Sequence, residues 1–273
     1  MATVIALHAH PDDEVLLTGG TLAMLAAAGH QVRIVFATDG SAGLAAQGRT
    51  GLGATRVREA EAASAALGLF APQWLGYADS GEDPARPIGA FADADLDEAA
   101  GRLAVILRAH RADMLLVYDE AGGYGHPDHR QVHRVGLAAA REAGTPRVLQ
   151  ATVDRTALTR ALSLLRLVPG LPAAFTSPRL TQGFTAREHI THRLDVSAAL
   201  EAKRNALAAH TSQSSGGGEL RTLALLLRLP TPVLRRVLGR EWFREEALLH
   251  RGRPRMRSDL GLPAPPTRAA PIR

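Results

Sequence analysis

The chain has 273 residues, of which 46% are hydrophobic, and this is enough apolar material for a substantial buried core. It contains no cysteine, which excludes disulfides, thiolate nucleophiles and cysteine-based zinc sites, so a metal would need His, Asp or Glu ligands. Residues 1–7 lack the basic start and long apolar run of a signal peptide. We therefore expect a globular, cytoplasmic protein without membrane association.

The formal net charge of +5 is concentrated at the C-terminus. Residues 251–273 contain six arginines and one aspartate, and this segment alone has the net charge of the whole chain. The same segment contains five prolines, which disfavour regular structure. We predict a domain over 1–250 and a basic, proline-rich tail over 251–273 that is mobile or loosely docked. A nucleic-acid partner would depend on this tail alone, and we do not expect one.

Short apolar runs alternate with longer amphipathic segments along the first half of the chain, a pattern typical of βαβ units in a parallel sheet. Strands are predicted at Thr3–Leu7, Val32–Phe36, Gln73–Tyr77, Met114–Tyr118 and Arg147–Val153. Helices are predicted at Thr18–Ala28, Thr55–Leu67, Leu96–Ala109 and His129–Ala143. Because ligands bind at the carboxyl ends of such strands, we expect a functional site in the loops that follow them.

The second half of the chain is less regular. Apolar core or lid helices are predicted at Leu158–Val168 and Leu220–Leu229, and the arginines within both segments exclude membrane spans. A strand is predicted at Ile190–Val196, a helix at Ser197–Ala209 and a flexible loop at Ser212–Gly218. No repeat or linker separates two domains. The sequence therefore predicts a single α/β domain, with a mostly parallel sheet flanked by helices and a lid-like C-terminal region.

Two polar clusters follow the first and the fourth predicted strands. The first is His8-Ala9-His10-Pro11-Asp12-Asp13-Glu14, and the second is Tyr124-Gly125-His126-Pro127-Asp128-His129, which opens a helix. Buried carboxylates are costly unless they are paired or bind a metal, so the alternative for each cluster is an exposed turn. Two such clusters at the same edge of the sheet favour a functional site over two unrelated turns.

The residue types of these clusters predict a catalytic metal site. Adjacent carboxylates in a turn cannot easily take the same role, so Asp13 can bind a metal with His10 and His129 while Asp12 accepts a proton. Three protein ligands leave a position for water, as in catalytic zinc sites. Zinc lowers the pKa of bound water to about 7 and polarises a carbonyl group. We expect Zn²⁺, and another divalent metal such as Fe²⁺ stays open.

The remaining residues of the second cluster are predicted to assist hydrolysis. A protonated His126 could stabilise the oxyanion or protonate the leaving amine. Asp128 could orient an imidazole, because metal-binding histidines usually donate their other N–H to a carboxylate. Tyr124, which glycines flank, could donate a hydrogen bond to the tetrahedral intermediate, and simple packing over the site is an equal alternative.

The two clusters resemble the paired signatures of the LmbE-like, or PIG-L-like, zinc-dependent N-deacetylases. The similarity covers about residues 3–213, and its motifs are specific in sequence and order. It includes His10-Pro11-Asp12-Asp13-Glu14, Gly125-His126-Pro127-Asp128-His129, Arg56, Glu59, Asp79-Ser80-Gly81 and the segment from Lys203 to Gln213.

This resemblance implies a Rossmann-like fold, with His10, Asp13 and His129 as zinc ligands and Asp12 as the general base. It also implies that an N-acetyl group is removed from an N-acetylglucosamine-type substrate, a class that includes sugar precursors of low-molecular-weight thiols. Arg56 and Asp79 would then bind sugar hydroxyls. The alternatives for these two residues are a solvated charge and a turn former.

Several alternatives stay open at this point. The enzyme could be an amidase for a different N-acyl conjugate, or a non-haem Fe(II) enzyme, because two histidines and a carboxylate also form that site. A nucleotide-binding module is disfavoured because the first βα turn lacks a G-x-G-x-x-G loop. The expected partner is a small N-acetylated sugar or its conjugate, and the sequence leaves a homo-oligomer open.

Overall fold

The computed structural model describes residues 1–42, 51–81, 83, 85–165, 182–214, 222–249 and 256–262. The strands are β1 (Thr3–His8), β2 (Gln31–Thr38), β3 (Gln73–Tyr77), β4 (Met114–Tyr118), β5 (Arg147–Thr152), β6 (His192–Asp195) and β7 (Arg240–Arg244). The helices are α1 (Asp13–Leu17), α2 (Gly19–Ala27), α3 (Leu52–Ala66), α4 (Leu96–Ala109), α5 (Pro127–Ala143), α6 (Arg155–Leu165), α7 (Leu200–Ala209), α8 (Thr211–Ser214), α9 (Thr222–Arg228), α10 (Thr231–Leu238) and α11 (Glu246–Leu249).

The strands form one seven-stranded sheet in the order β3-β2-β1-β4-β5-β7-β6. The first five strands are parallel, and β7 pairs antiparallel with both β5 and β6. From β1 the strand order runs outward to β2 and β3 on one side and to β4 and β5 on the other, so it reverses between β1 and β4. Open α/β sheets bind ligands in the crevice at the carboxyl ends of the strands at such a point. The predicted single α/β domain with a mostly parallel sheet is confirmed.

Helices cover both faces of the sheet. Alternate residues of β1 point to opposite faces, so Ile5 and Leu7 pack with α4 and α5, whereas Val4 and Ala6 pack with α2. A third apolar cluster joins α3 to α7, α9 and α10. Because both faces of the central strands are buried, these strands are apolar throughout rather than alternating.

Three local differences from the sequence prediction have physical causes. The helix predicted at Thr18–Ala28 is α2, and an unpredicted short helix, α1, ends just before it at Leu17, where the Thr18 hydroxyl donates to the carbonyl of Glu14. Strand β7 was not predicted, because arginines at both ends dilute its short alternating pattern. The loop predicted at Ser212–Gly218 begins inside the short helix α8, and its residues from 215 onward lie outside the described ranges.

Part of the predicted tail packs against the sheet. Arg257 exchanges backbone hydrogen bonds with Thr191 and Arg193 beside β6, the carbonyl of Leu260 accepts from Arg147, and the Leu260 side chain is buried. Residues 256–262 are therefore docked, and the structure does not describe the other residues of the predicted tail over 251–273, whose mobility stays a prediction. The described helices include none that is long and apolar enough to cross a membrane.

Candidate metal centre

The three predicted metal ligands meet at the carboxyl ends of β1 and β4. Oδ2 of Asp13 lies 3.2 Å from Nδ1 of His10 and 3.1 Å from Nε2 of His129. Asp13 opens α1 and His129 lies in the first turn of α5, so two helix starts deliver these side chains to the strand edge. All three side chains are buried.

The donor set fits a divalent metal. Both ring nitrogens of His129 are buried without a hydrogen bond of normal geometry among the residues that the structure describes, although a buried polar atom normally has one; Nε2 only approaches Oδ2 of Asp13, as two ligands of one ion would. Burial opposes charge on Asp13, but the neighbouring His129 and His10 hold the pKa of its carboxyl well below its usual range. An ionised carboxylate beside two imidazoles is the ligand chemistry of a catalytic zinc site.

Carboxylates surround the other edge of His10. Its Nε2 lies 3.1 Å from Oδ2 of Asp128 and 3.4 Å from Oδ1 of Asp79. Burial opposes charge on this imidazole, but hydrogen bonds to Asp128, Asp13 and Asp79 raise its pKa well above the ordinary value. The environment of His10 thus favours a positive charge, which either a proton or a metal ion supplies.

Asp128 is held in place by residues that follow β3. The amide N–H of Ser80 donates to Oδ2 of Asp128 at 3.0 Å, and the Ser80 hydroxyl donates to Oδ1. With Nε2 of His10 donating to the same carboxylate, Nδ1 is the nitrogen that faces Asp13 and is left for a metal ion to replace its proton. Asp128 therefore orients His10, in the manner predicted for an imidazole at a metal site.

Asp12 has a backbone conformation that is rare outside glycine, with φ of 110°. Its carboxylate is partly exposed, and Oδ2 accepts a hydrogen bond from Nη2 of Arg56 at 3.2 Å. Burial raises the pKa of Asp12 to about 6, with Asp13 adding to the rise and Arg56 opposing it. Asp12 is next to the predicted ligand Asp13 in sequence, yet it hydrogen-bonds to neither of the predicted histidine ligands.

His126 differs from the sequence prediction in its protonation. Burial, together with the nearby His10 and His129, lowers its pKa to about 4, so the imidazole is neutral at pH 7 rather than protonated as predicted. Its Nδ1 accepts the amide N–H of Asp128 at 3.2 Å, as the N-cap of α5. The remaining proton therefore lies on Nε2, where it can be donated.

This hydrogen bond also separates His126 from the ligands. Possible ligand atoms of His10, His126 and His129 lie within 4.8 Å of one another, as do those of His10, Asp79 and Asp128. A neutral imidazole with Nδ1 engaged and Nε2 protonated has no free lone pair for a metal. The capping bond thus favours Asp13 over His126 as the third ligand.

The structure also locates the residues expected to contact a substrate. Arg56 is buried and donates to the carbonyl groups of Gly40 and Pro11 as well as to Asp12, so it fixes the loop that bears Asp12. Asp79 is buried and accepts the amide N–H groups of Ala42 and Gly81. Sugar binding by Arg56 and Asp79 stays a prediction, and each has a structural role in addition.

Tyr124 lies beside the site on the glycine-rich loop. Its ring centre is 5.0 Å from that of His129 and 6.2 Å from that of His126. Gly122 has φ of 67°, and a Cβ atom there would lie 2.7 Å from the backbone nitrogen of Arg130, so only glycine fits at this turn. The predicted catalytic role of Tyr124 stays untested.

Sequence reasoning missed three contributors. Ser80 was noted only as part of a motif, yet it holds Asp128. Glu14 and His210 were also seen in motifs and were given no role, although Nε2 of His210 lies 2.7 Å from Oε1 of Glu14. The signal for these two residues was their presence in motifs 196 positions apart, but their contact requires the tertiary structure.

Comparisons with known proteins identify relatives that are named as deacetylases. A family model described as PIG-L: GlcNAc-PI de-N-acetylase matches residues 5–140. The 1D-myo-inositol 2-acetamido-2-deoxy-alpha-D-glucopyranoside deacetylase of Mycobacterium sp. (strain KMS) is 38% identical over 256 residues, which cover 84% of this chain and 80% of that protein. An identity of this size over most of both chains establishes common family membership.

Two solved structures extend the comparison to the fold. The N,N'-diacetylchitobiose deacetylase from Pyrococcus horikoshii aligns with a TM-score of 0.57 at 22% identity, covering 89% of this chain and 83% of that one. The 4-carboxy-2-hydroxymuconate hydratase from Pseudomonas putida KT2440 aligns with a TM-score of 0.59 at 18% identity, covering 90% and 96%. Because one fold serves a deacetylase and a hydratase, the reaction has to be inferred from the site.

Proposed function

The chain belongs to the PIG-L family, and from this premise we propose that it is a metal-dependent hydrolase that removes an N-acetyl group from an N-acetylglucosamine-type substrate. The observation that supports this most is the meeting of Nδ1 of His10, Oδ2 of Asp13 and Nε2 of His129, with Asp12 beside them. We propose zinc as the native metal, since two imidazoles and a carboxylate suit it. Fe²⁺ is the second candidate.

His10, Asp13 and His129 would hold the metal, which when bound lowers the pKa of water and polarises the amide carbonyl. Each protein group then has a separate task. Asp13 and the two imidazoles fix the site, while Asp128 and Ser80 keep His10 in the orientation that directs Nδ1 towards the other ligands.

Asp12 moves the proton in the proposed reaction. Its carboxylate accepts a proton from water as the oxygen attacks the amide carbon, and a tetrahedral intermediate forms on the substrate. Asp12 then returns this proton to the nitrogen of the leaving amine as the C–N bond breaks, so the products are the free amine and acetic acid, which ionises to acetate in solution. No proton is left on the protein at the end of the cycle.

His126 stabilises the oxyanion in this scheme. Its Nε2–H donates a hydrogen bond without the imidazole being charged, because Nδ1 is held by the N-terminus of α5. This assignment replaces the protonated His126 of the sequence prediction and leaves proton transfer to Asp12. Tyr124 is a second candidate donor at the oxyanion.

The substrate is proposed from the relatives. The mycobacterial relative is named for an acetamido sugar joined to 1D-myo-inositol, and the Pyrococcus enzyme is named for diacetylchitobiose. Both of these compounds contain an N-acetylated glucosamine unit. Because the identity to the first protein is much higher, we propose the inositol glycoside as the first compound to test.

Acetate release tests the proposal directly. The protein loaded with Zn²⁺ or Fe²⁺ would be incubated with 1D-myo-inositol 2-acetamido-2-deoxy-alpha-D-glucopyranoside, with diacetylchitobiose and with N-acetylglucosamine, while acetate, free amine and oxygen are measured. We expect equal amounts of acetate and amine without oxygen consumption, and none from the metal-free protein. Turnover that consumes oxygen, or no amide cleavage in any N-acylated compound, would refute the hydrolase.

A further inference from the structure

Glu14 has no part in the proposed reaction, yet its side chain is completely buried and both of its oxygens are used. Oε2 accepts the backbone N–H of Asp12 at 2.8 Å, and Oε1 lies 2.7 Å from Nε2 of His210. A buried carboxylate needs such partners, because leaving either oxygen unpaired costs free energy. Glu14 therefore joins Asp12 to a histidine from a distant part of the chain.

Asp12 needs support of this kind. A residue with a Cβ atom at φ of 110° is strained, and it keeps this conformation only when its surroundings hold it. Arg56 holds one side of the turn by donating to the carbonyl of Pro11 and to the Asp12 carboxylate. The contact from Glu14 to the Asp12 N–H holds the other side. Removing either support should let the backbone relax.

His210 stands at the end of α7 and is fully buried. Helix α7 is itself fixed, because Lys203 pairs with Glu241 and donates to the carbonyl of Leu16 in α1. Nε2 of His210 thus approaches Glu14 from a rigid base. We propose that His210 is a positioning residue that acts through Glu14 to hold Asp12 in its strained, proton-accepting conformation; this inference rests on the proposed function.

Positioning and general stability make different predictions. If His210 only stabilised the fold, its loss would lower the unfolding temperature and leave the kcat of the folded, metal-loaded enzyme unchanged. If His210 positions Asp12, its loss lowers kcat while KM and bound metal stay the same, because neither His210 nor Glu14 is a proposed ligand. A misplacement of a reacting group by about 1 Å can cost about 100-fold in rate.

A matched pair of variants separates the two readings. In His210→Gln the amide nitrogen reaches about as far as the original Nε2, whereas in His210→Asn the same group stops short of Glu14. We expect kcat on the inositol glycoside to fall about 10- to 100-fold in His210→Asn and less than about 3-fold in His210→Gln, with equal metal content. Ser212→Ala is the control. Ser212 lies two residues after His210, and its buried hydroxyl donates to Glu59 rather than to Glu14.

The second experiment is a double-mutant cycle with Asp12→Ala. Once the carboxylate is gone there is nothing left to position, so His210→Asn should cause no further loss of kcat in that background. A loss that multiplies with that of Asp12→Ala would overturn the proposal. So would equal kcat values for His210→Asn and the unchanged protein.

A crystal structure of His210→Asn tests the positioning without any assay. We expect Asp12 to leave the positive-φ region and its N–H to lose the contact with Glu14, while His10, Asp13 and His129 keep their places. An unchanged Asp12 backbone would overturn the inference even if the enzyme deacetylates. A protein that cleaves no amide would instead refute the proposed function, and the crystal structure would still decide what His210 holds.

Discussion

The protein buries two groups of charged side chains that look alike in composition and differ in how well they are satisfied. Nζ of Lys203 has three acceptors, namely Oε1 of Glu241 at 2.6 Å and the carbonyls of Leu16 and Leu238 at 3.1 and 3.3 Å. Glu241 also accepts the N–H groups of Gly20 and Thr21 at the start of α2. This pair, which we call the Lys203 pair, is complete.

The proposed ligand cluster of His10, Asp13 and His129 is incomplete by comparison. Within the described part of the chain, Nδ1 of His129 is buried without a partner, and Nε2 makes no hydrogen bond of normal geometry, only a 3.1 Å approach to Oδ2 of Asp13. Three polar side chains converge on one point and leave lone pairs unused. Buried charge alone therefore does not identify a functional site, whereas several polar side chains that converge on one point with unused lone pairs favour one.

Removal of the metal or of one of its proposed ligands should have the largest effect on activity. We expect His129→Ala, or treatment with a chelator, to abolish acetate release, because the ligand set loses a member or its ion. The matched control is His133→Ala, one helical turn further along α5, where Nδ1 contacts the carbonyl of Tyr118. Bound metal would be counted by elemental analysis. Full metal content in His129→Ala would remove His129 from the ligand set.

Substitution of Asp12 should have the next largest effect. We expect Asp12→Ala to keep its metal and lose about 10²- to 10⁴-fold in kcat, the usual contribution of a general acid–base group. Folding should change little, because Asp12 is not a proposed ligand and Arg56, which loses this partner, keeps its hydrogen bonds to the carbonyls of Gly40 and Pro11. Acetate release at saturating substrate gives the number, and activity equal to that of the unchanged protein would eliminate Asp12 as the base.

The Lys203 pair should show the reverse behaviour. Lys203→Met leaves Glu241 buried without its cation, which should cost about 3–5 kcal/mol in the free energy of unfolding. Activity per folded molecule should fall far less than in Asp12→Ala, because Lys203 could affect the site only indirectly, through helix α7 and His210. Arg204→Met, an exposed neighbour on the same helix, serves as the control and should cost less than about 0.5 kcal/mol. Urea unfolding measures both, and equal stabilities would show that the pair is not a structural requirement.

The smallest expected effect concerns His192, which lies buried in β6 beside Glu245. Burial lowers its pKa to about 4, so the unfolded chain takes up a proton more readily than the folded one. The titration of His192 should therefore leave the free energy of unfolding unchanged above pH 6.5. Below this pH it should lower the free energy of unfolding as the pH decreases towards 4, by at most about 1.4 kcal/mol per pH unit.

His192→Gln should flatten this part of the pH dependence. The free energy of unfolding would be measured between pH 4 and 7 for both proteins, and the difference between the two curves isolates the contribution of this histidine. Parallel curves would mean that His192 has an ordinary pKa in the fold.

The sequence alone determined where the five parallel strands lie along the chain and that a polar cluster follows two of them. Apolar runs with helical segments between them predict βα units, whereas the order of the strands in the sheet came from the structure. His10, Asp13 and His129 were chosen because their residue types suit a metal, and the structure brings their side chains together. By contrast, β7 was missed, because an antiparallel strand flanked by arginines has no strong local pattern.

Only the tertiary structure decided the protonation state, the backbone conformation and the partners of each site residue. The neutral state of His126 depends on burial and on neighbouring imidazoles from other loops, and the strained backbone of Asp12 depends on Arg56 and Glu14. His210 reaches Glu14 across 196 positions, a contact that no local pattern encodes. Sequence specifies which groups are present, because chemistry follows residue type; pKa, tautomer and orientation follow from neighbours that the fold brings together.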